Sequence, residues 1–395
     1  MSDKNYESLV ALAEKRLGPG PLRFFTAPGR TEIGGNHTDH QQGRVLAAAV
    51  NLEAAAAVRP NADNTVRIYS EKYPVLSVDL SELSPRKAEE GTSEGLVRGV
   101  AEFFVRHGYP VGGFDAVTEN HVPGGSGLSS SAAFEVLVGT IFSGLYGGEV
   151  PAVTRAMAGQ YAENAHFGKP CGLMDQMASA VGGFVAIDFH DPKNPVVQGL
   201  GVRLEDYGHV LCIVSTGGSH NDLTGEYAAI PAEMRAVAAC LGAEKLGYAD
   251  EAAFYANLAA IRRQTGDRAV LRAMHFFDDN RRVLEETDAL ERGDFAGFLR
   301  LINSSGRSSW EYLQNISPMG AIREQPVATA LAYAARLLGG QGACRVHGGG
   351  FAGTIQAFVP AEQAETFVAA METLTGAGSC RILNIRAEGG VEITF

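Results

Sequence analysis

The chain has 395 residues, of which 45% are hydrophobic and 20% charged, as in folded globular proteins and unlike disordered ones. At roughly 100–200 residues per domain, this length allows two or three domains. The 45 acidic residues outnumber the 33 lysines and arginines, and the formal charge of −12 argues against a nucleic-acid binder, which needs a basic face.

No stretch of the chain approaches the ~18–20 uninterrupted apolar residues of a membrane span. The polar start, Met-Ser-Asp-Lys-Asn-Tyr-Glu-Ser, is unlike a secretory signal. The five cysteines are scattered and form no C-x-x-C pair, so we expect reduced thiols rather than a disulfide framework or a zinc site. These features predict a cytoplasmic protein with no membrane partner.

Apolar spacing predicts the elements of the first half of the chain. Residues 4–17 and 96–107 each have an apolar side and are predicted as helices. The alternating segments around them are predicted as strands, at 22–27, 45–58, 66–70 and 114–119. Residues 132–146 are apolar nearly all round, which indicates a buried helix, and residues 151–166 are predicted as another helix.

The second half begins with two predicted central strands and a long helical region, at 184–188, 210–215 and 228–340. Alternating strands and a helix follow, at 343–347, 354–359, 361–375, 380–386 and 392–395. Helices that are bunched in this way favour an α+β fold over a doubly wound sheet. The polar, proline-containing stretch 190–201 is the best candidate for a domain boundary. We therefore predict an N-terminal domain over 1–200 and a C-terminal domain over 201–395.

The strongest local feature is a glycine- and serine-rich loop between a predicted strand and a predicted helix. Residues 123–133 read Pro-Gly-Gly-Ser-Gly-Leu-Ser-Ser-Ser-Ala-Ala. Glycines let the backbone approach a bulky anion, and the free amides and positive dipole of a helix start attract phosphate. The loop lacks the lysine of a Walker A motif and the G-x-G-x-x-G spacing of a dinucleotide-binding loop. Its serines add donors, one of which can ligate Mg²⁺; the alternative is a tight turn with an N-cap serine.

A second cluster, residues 27–40, places polar side chains between predicted strands. The planar guanidinium of Arg30 suits phosphate oxygens. Asn36, His37 and Asp39 lie within four residues of one another, so their side chains can converge on a small polyhydroxylated ligand. The run His-Thr-Asp-His also suggests a metal site, but no second cluster with ligand spacing follows it.

Two further clusters complete the set. Residues 346–353 form a glycine-rich turn ahead of a strand, and residues 163–176 are interrupted at Gly172 before a new helical pattern. This interruption places Asp175 in the first turn of the helix, where the helix dipole keeps a carboxylate ionised. An aspartate at that position is also compatible with ordinary helix capping.

Taken together and in this order, the clusters resemble the GHMP small-molecule kinases, and within them the galactokinase family. Residues 29–40 resemble the signature G-R-x-N-x-I-G-E-H-x-D-Y, and residues 123–132 resemble the motif P-x-x-x-G-L-S-S-S-A. Other segments resemble that family as well, at 163–164, 172–176, 224–227 and 346–353. The matches extend over nearly the whole chain, and five of them in the right order are far more specific than any one.

The resemblance implies an N-terminal domain like ribosomal protein S5 domain 2, a ferredoxin-like C-terminal domain and an active site between them. It implies transfer of the ATP γ-phosphoryl group to the anomeric hydroxyl of a sugar, with Mg²⁺ as cofactor. Carried over by position, Asp175 is the base that takes the proton from the sugar O1, and Arg30 stabilises the moving phosphoryl group. Three further sets are implied: Ser131 and Glu163 for Mg²⁺; Asn36, His37, Asp39, Gly172 and Tyr227 for the sugar; and Gly124, Gly125, Ser126, Gly127, Leu128, Ser129 and Ser130 for ATP.

Four positions depart from the signature: Glu32 replaces its asparagine, Gly34 its isoleucine, Asn36 its glutamate and His40 its tyrosine. In the family, the glutamate is expected to accept a hydrogen bond from the sugar 6-hydroxyl. An amide still serves that hydroxyl and also tolerates a C6 carboxylate, which a glutamate would repel. Galactose is therefore the first expectation. Galacturonate is the alternative, since galacturonokinases also lack the glutamate and carry an Asp-His-Gln run like residues 39–41.

Two other functions stay open. A non-catalytic sugar-sensing regulator on the kinase fold is disfavoured because Ser131-Ala132, Asp175 and Arg30 are all present. A mevalonate-pathway or homoserine kinase is disfavoured because such enzymes lack the sugar signature at 37–39. The expected partners are a small-molecule sugar and ATP, with no nucleic acid; a monomer is expected, and a weak oligomer stays open.

Overall fold

The computed structural model describes residues 4–71, 73–124, 127–218, 223–351 and 353–394. By its internal contacts the chain divides into two compact units. Unit 1 comprises Met1–Arg30, Ala49–Gly182 and Arg386–Phe395, and unit 2 comprises Thr31–Ala48 and Gly183–Ile385. These units differ from the division predicted at residue 200, because residues 44–48 pair antiparallel with residues 184–188 of the later chain. The domain assignment itself stays a prediction.

The described residues form twelve strands: β1 (Arg23–Gly34), β2 (Arg44–Pro60), β3 (Thr65–Ser70), β4 (Leu76–Asp79), β5 (Phe114–Asn120), β6 (Phe184–Asp188), β7 (Val196–Leu200), β8 (His209–Ser215), β9 (Ala343–His347), β10 (Thr354–Pro360), β11 (Cys380–Leu383) and β12 (Val391–Ile393). They also form twelve α-helices: α1 (Lys4–Leu17), α2 (Ser93–Arg106), α3 (Ser130–Tyr146), α4 (Ala152–Tyr161), α5 (Met174–Val181), α6 (Thr224–Cys240), α7 (Glu251–Ala256), α8 (Leu258–Thr265), α9 (Asp267–Glu291), α10 (Phe295–Ser308), α11 (Pro326–Leu338) and α12 (Ala364–Thr375). None of the helices among these residues combines the length and apolarity needed to cross a membrane.

Unit 1 is organised around a sheet with the strand order β12-β1-β2-β5-β3-β4, in which β3 and β5 are parallel. The alanine run of β2 is buried, and Ala55 and Ala57 share a core with Leu9 and Ala13 of α1. Small side chains at these positions let the helix lie close to the sheet. Helix α3 is buried along most of its length, which confirms the prediction from its apolar pattern.

Unit 2 contains an antiparallel sheet with the order β11-β8-β10-β9, and α11 and α12 share an apolar core with its strands. A second core joins α6, α7, α8 and α9 around aromatic residues that include Phe254, Phe276 and Phe277. Sheets and helices gathered in separate regions confirm the predicted α+β class. Strand β7 lies inside the stretch predicted as a boundary; it was missed because its side chains are mostly exposed and carry little apolar pattern.

Candidate active site

The loop between β5 and α3 is the predicted phosphate loop, and its two ends are tied together. Asn120, the last residue of β5, donates through Nδ2 to Ser130 Oγ (2.8 Å) at the start of α3. The first turn of α3 has no acidic residue, so its amides and dipole stay available to an anion. The predicted ATP-binding residues in the described part are Gly124, Gly127, Leu128, Ser129 and Ser130; Gly125 and Ser126 lie outside the described residues.

Strand β1 runs directly against this loop. The amide of Arg30 donates to the carbonyl oxygen of Leu128 (3.0 Å). A Cβ at Gly29 would lie only 2.8 Å from that same oxygen, closer than real Cβ atoms approach. The approach therefore requires glycine at position 29. It brings the Arg30 side chain to the loop, where Nη1 donates to the Gly127 carbonyl.

Arg30 and Asp175 form an ion pair with two hydrogen bonds, although they lie 145 residues apart in the sequence. Arg30 donates through Nε to Asp175 Oδ1 (2.7 Å) and through Nη2 to Oδ2 (2.6 Å). Ser129 Oγ donates to the same Oδ2 (2.6 Å). Asp175 lies in the first turn of α5, where the interruption at Gly172 predicts it. The paired bonds fix the orientation of the carboxylate and of the guanidinium.

The surroundings of Asp175 favour its ionised form. Burial by itself raises the pKa of this carboxyl, but the charge and hydrogen bonds of Arg30 and the hydrogen bond from Ser129 outweigh it, so the pKa lies below its ordinary value. An ionised carboxylate can accept the proton of a hydroxyl and orient its oxygen. Beside a phosphate loop, such a carboxylate and a fixed guanidinium supply the positioning and charge that phosphoryl transfer needs.

The residues predicted to bind Mg²⁺ lie together in unit 1. Glu163 belongs to the π-helical turn Ala162–Phe167 that follows α4, and its Oε1 accepts a hydrogen bond from Ser131 Oγ (3.4 Å). A carboxylate and a hydroxyl are oxygen ligands of the kind Mg²⁺ takes, with phosphate oxygens and water completing the shell. Within the described ranges, no group of three or more His, Cys, Asp or Glu side chains could hold a metal by itself.

Three side chains around Glu163 were not predicted. Lys169 donates through Nζ to Glu163 Oε1 (3.0 Å), and Gln176 donates through Nε2 to Glu163 Oε2 (3.1 Å) and to Glu135 Oε2 (2.9 Å). Burial, and then the charge of Glu163, raises the pKa of Glu135 well above its ordinary value. Burial therefore favours the protonated form of Glu135. Lys169 and Gln176 lie in the cluster 163–176, but the sequence carried no signal for the contact with Glu135, which belongs to α3.

The Asn36 side chain is fully buried and bonded within unit 2. Its Nδ2 donates to Glu32 Oε1 and to the Gly348 carbonyl, both at 2.8 Å. Its Oδ1 accepts from Asn315 Nδ2 (2.8 Å) and from Ser309 Oγ (3.3 Å). A side-chain amide has two N–H donors and two oxygen lone pairs. All four are used inside the protein in this structure.

The other predicted sugar-binding residues belong to both units. His37 Nε2 lies 3.1 Å from the Gly349 carbonyl oxygen, and Tyr227 donates to the Gly350 carbonyl (2.9 Å). Asp39 begins a 3₁₀ turn in the same unit. Gly172 instead lies in unit 1, shortly before α5. Three of the five predicted sugar-binding residues therefore contact one glycine loop, residues 348–350, to which the sequence analysis assigned no role in sugar binding.

Three histidines of unit 2 should make the stability of the protein depend on pH: His275, which is fully buried, and His37 and His40, which are partly buried. Burial lowers the pKa of His37 to about 4, and burial also lowers the pKa of His40 and His275. Each of the three therefore binds its proton at a lower pH in the folded protein than in the unfolded chain, where histidines bind protons as the pH falls below about 6.5. Their contribution to the free energy of unfolding is therefore fully present above about pH 6.5. It is lost as the pH falls toward 4, by at most about 1.4 kcal/mol per pH unit for each histidine.

We expect the melting temperature to fall between pH 7.5 and 5, and to fall less steeply in the variant H275Q, which removes one of these protons. The matched control is H121Q, because the His121 side chain is 51% exposed. Its melting temperature should follow the wild-type pH dependence. Equal slopes for H275Q and wild type would contradict the prediction.

Gly34, where the signature has isoleucine, makes room for Glu286 of α9. A Cβ at position 34 would lie 1.8 Å from Glu286 Oε2. The Glu286 side chain is fully buried; burial, and then the charge of Asp279, raises its pKa well above the ordinary value. A side chain at position 34 and the glutamate at position 286 would therefore occupy the same volume, so we expect substitutions at the two positions to interact.

The variant G34A should destabilise the protein by at least about 1–3 kcal/mol, since it overpacks a buried site. Adding E286A should recover part of that loss, because the clash is removed. G199A is the control, since a Cβ there meets nothing within 4 Å. Urea unfolding of the four proteins measures the effects; no recovery in the double variant would contradict the coupling.

Two family models match the chain. "GHMP kinases N terminal domain" matches residues 95–183, which include the phosphate loop and Asp175. "Galactokinase galactose-binding signature" matches residues 14–60, which include Arg30 and the polar cluster after it. The two matches fall on the segments that the sequence motifs single out.

Sequence relatives and solved structures agree with these matches. A galactokinase of Streptococcus suis is 31% identical over 354 residues, which cover 87% of this chain and 86% of that protein. A galactokinase of Mannheimia succiniciproducens is 32% identical over 349 residues, 86% of each chain. The crystal structure of Lactococcus lactis galactokinase complexed with galactose has a TM-score of 0.83 at 24% identity, covering 98% of this chain and 100% of that one. Methanococcus jannaschii mevalonate kinase has a TM-score of 0.65 at 15% identity, with 94% and 99% covered. The solved structures show that the fold is that of the GHMP kinases.

Proposed function

Because this chain belongs to the galactokinase family and is an ATP-dependent sugar kinase, we propose that it phosphorylates galactose at the anomeric hydroxyl. The products are galactose 1-phosphate and ADP. The ion pair between Arg30 and Asp175 at the phosphate loop is the observation that carries the proposal. The carboxylate and the guanidinium lie beside the segment whose helix start suits phosphate, which supports these roles.

In the proposed reaction, Asp175 accepts the proton of the sugar O1 as that oxygen attacks the γ-phosphorus. The O1–P bond forms while the bond from the γ-phosphorus to the β–γ bridging oxygen breaks, and the electron pair leaves with ADP. Arg30 faces the negative charge on the moving phosphoryl group. A positioned general base of this kind contributes about 10²–10⁴-fold to the rate, and the rest comes from orientation and charge.

Ser131 and Glu163 are the proposed ligands of Mg²⁺, which when bound neutralises phosphate charge. Lys169 Nζ lies 3.0 Å from Glu163 Oε1, so its charge partly balances that of the carboxylate. Residues 124–130 are proposed to wrap the ATP phosphates through backbone amides and serine hydroxyls. On the sugar side, His37, Asp39, Tyr227 and Gly172 are proposed to bind the ring hydroxyls, and position 36 to face C6.

A panel of sugars tests the proposal. Purified protein is incubated with ATP, Mg²⁺ and one sugar at a time, and both ADP release and sugar 1-phosphate formation are measured. Galactose should give the highest kcat/KM. Galacturonate belongs in the panel because an amide stands where the signature has glutamate. ATP binding without turnover of any sugar would instead support a sugar-sensing regulator.

A further inference from the structure

Lys169 is held beside Glu163 by the conformation of the chain between them. The π-helical turn Ala162–Phe167 ends at Gly168, which has a left-handed backbone (φ +81°). A left-handed residue after a helical turn reverses the direction of the chain, and glycine adopts that conformation without strain. The backbone amide of Lys169 thereby donates to the carbonyl oxygen of Glu163 (3.1 Å). The same reversal brings the two side chains together.

The ammonium group of Lys169 shares a carboxylate oxygen with Ser131. Its Nζ lies 3.0 Å from Glu163 Oε1, and Ser131 Oγ lies 3.4 Å from that same oxygen. Ser131 belongs to the first turn of α3, where free amide groups and the helix dipole suit phosphate. The ammonium group therefore lies beside the end of the phosphate loop at which the helix begins.

The two cations that contact this cluster differ in how many of their donors are free. All three nitrogens of Arg30 donate to groups of the protein: Nε and Nη2 to Asp175, and Nη1 to the Gly127 carbonyl. Lys169 has three N–H donors and uses one of them, toward Glu163, among the residues that the structure describes. Its side chain is 63% exposed, whereas that of Arg30 is 9% exposed. Lys169 therefore has donors and a freedom to turn that Arg30 lacks.

A nucleotide bound with its metal ion would change the partner of Lys169. In the proposed site Glu163 gives its carboxylate to Mg²⁺, and a divalent cation there repels the ammonium group beside the same oxygen. The phosphate oxygens that complete the shell of the ion bring negative charge to this place. A lysine ammonium is a compact cation on a flexible stem, and it binds phosphate as a point charge. Phosphate can therefore replace the carboxylate as its counter-charge.

We propose that Lys169 is a further catalytic residue, whose ammonium group turns from Glu163 to the γ-phosphate of bound ATP and stabilises negative charge there during transfer. The phosphate loop has no lysine of its own, and Lys169 supplies that charge from another segment. Lys169 lies between the family-like segments 163–164 and 172–176 and belongs to neither. The proposal rests on the proposed function, in which the loop wraps the ATP phosphates and Ser131 and Glu163 bind the metal ion.

The first test measures binding, which needs neither sugar nor turnover. Wild type, K169M and K169R are titrated calorimetrically with ATP and with ADP in saturating Mg²⁺. In K169M the Kd for ATP should rise at least about tenfold while the Kd for ADP stays within about twofold, because ADP lacks the γ-phosphate. K169R keeps a cation and should recover most of the ATP affinity. The control K87M removes an exposed lysine of unit 1 and should leave both Kd values unchanged.

A double variant distinguishes contact with phosphate from charge balance at Glu163. If Lys169 only balances that carboxylate, K169M should have no effect once E163Q has removed the charge. If Lys169 contacts the γ-phosphate, K169M should reduce the preference for ATP over ADP by the same factor, within about threefold, in wild type and in E163Q. Equal losses of ATP and ADP affinity in K169M, or no effect of K169M in the E163Q background, overturn the proposal.

Kinetics with galactose measures the catalytic part of the role. At saturating ATP, K169M should lower kcat by about 10²-fold, because a charge that stabilises the moving phosphoryl group is lost, and the galactose KM should stay within about threefold. A wild-type kcat in K169M contradicts this role and leaves the proposed reaction intact. If wild type phosphorylates no galactose but K169M still loses its preference for ATP over ADP, the proposed reaction is wrong and the contact of Lys169 with the nucleotide stands.

Discussion

Replacing Asp175 with asparagine should lower kcat by about 10²–10⁴-fold while the Kd for ATP stays within about threefold of wild type. The amide keeps the size of the side chain and an oxygen that can accept from Arg30 or Ser129, but it cannot take up the proton of the sugar O1. The substitution should therefore slow the chemical step without weakening the binding of ATP. Single-turnover kinetics with galactose, together with equilibrium titration of ATP, measures the two effects independently.

The variant D115N is the matched control for D175N. Asp115 also faces an arginine in unit 1, with 3.2 Å between its Oδ1 and Arg67 Nη1, but it lies on β5 away from the phosphate loop residues. The same change of acid to amide should leave kcat within about twofold, as for most surface substitutions. Substantial turnover by D175N would exclude Asp175 as the base, and a large loss in D115N would show that any such substitution in unit 1 disturbs activity.

The pH profile should agree with this role. Because Arg30 and Ser129 hold the pKa of Asp175 below its ordinary value, the carboxylate is ionised throughout the neutral range. The base becomes protonated, and activity is lost, only as the pH falls below the ordinary range of an aspartate. An alkaline limb of the profile must therefore come from another group.

Local patterns in the sequence predicted those parts of the site that a local rule governs. The strand-loop-helix arrangement around residues 123–133 and the first-turn position of Asp175 follow from glycine content, serine content and apolar spacing. Gly29 could be singled out as part of a cluster, but its physical reason, a contact with the Leu128 carbonyl, needs the fold. Structure that depends on about ten neighbouring residues could be predicted from the sequence. Contacts between residues about a hundred positions apart could not.

The parts that could not be predicted are contacts between distant segments. Arg345 reaches Glu32 across 313 residues, and Asn315 reaches Asn36 across 279 residues. Single-sequence patterns contain no information on such pairs, because each partner is individually an ordinary residue of its own element. The sequence showed that positions 32, 34 and 36 differ from the family signature. The structural reason for each difference is a contact with a distant residue that the sequence did not single out: Arg345, Glu286 and Asn315, respectively.

The variant N36E should lose about 3–5 kcal/mol of stability, because it places a second carboxylate beside Glu32 in a buried site. Asn36 Nδ2 now lies 2.8 Å from Glu32 Oε1, and a carboxylate there turns a hydrogen bond into a repulsion. The single variant therefore confounds stability with sugar preference. Adding E32N exchanges the two side chains, so that the amide is at position 32 and the carboxylate at position 36. The double variant E32N/N36E should therefore be more stable than either single variant.

Urea unfolding of wild type, N36E, E32N and E32N/N36E forms a double-mutant cycle, and the interaction energy should be at least about 2 kcal/mol in favour of the exchanged pair. E32N alone should also be unstable, since it leaves the buried Arg345 without a counter-charge. N51E is the control for adding a glutamate, because Asn51 is exposed and the change there should stay within about 0.5 kcal/mol. Additive losses in the cycle would mean that positions 32 and 36 act separately, and the amide orientation would then have to be set by Gly348 and Asn315 alone.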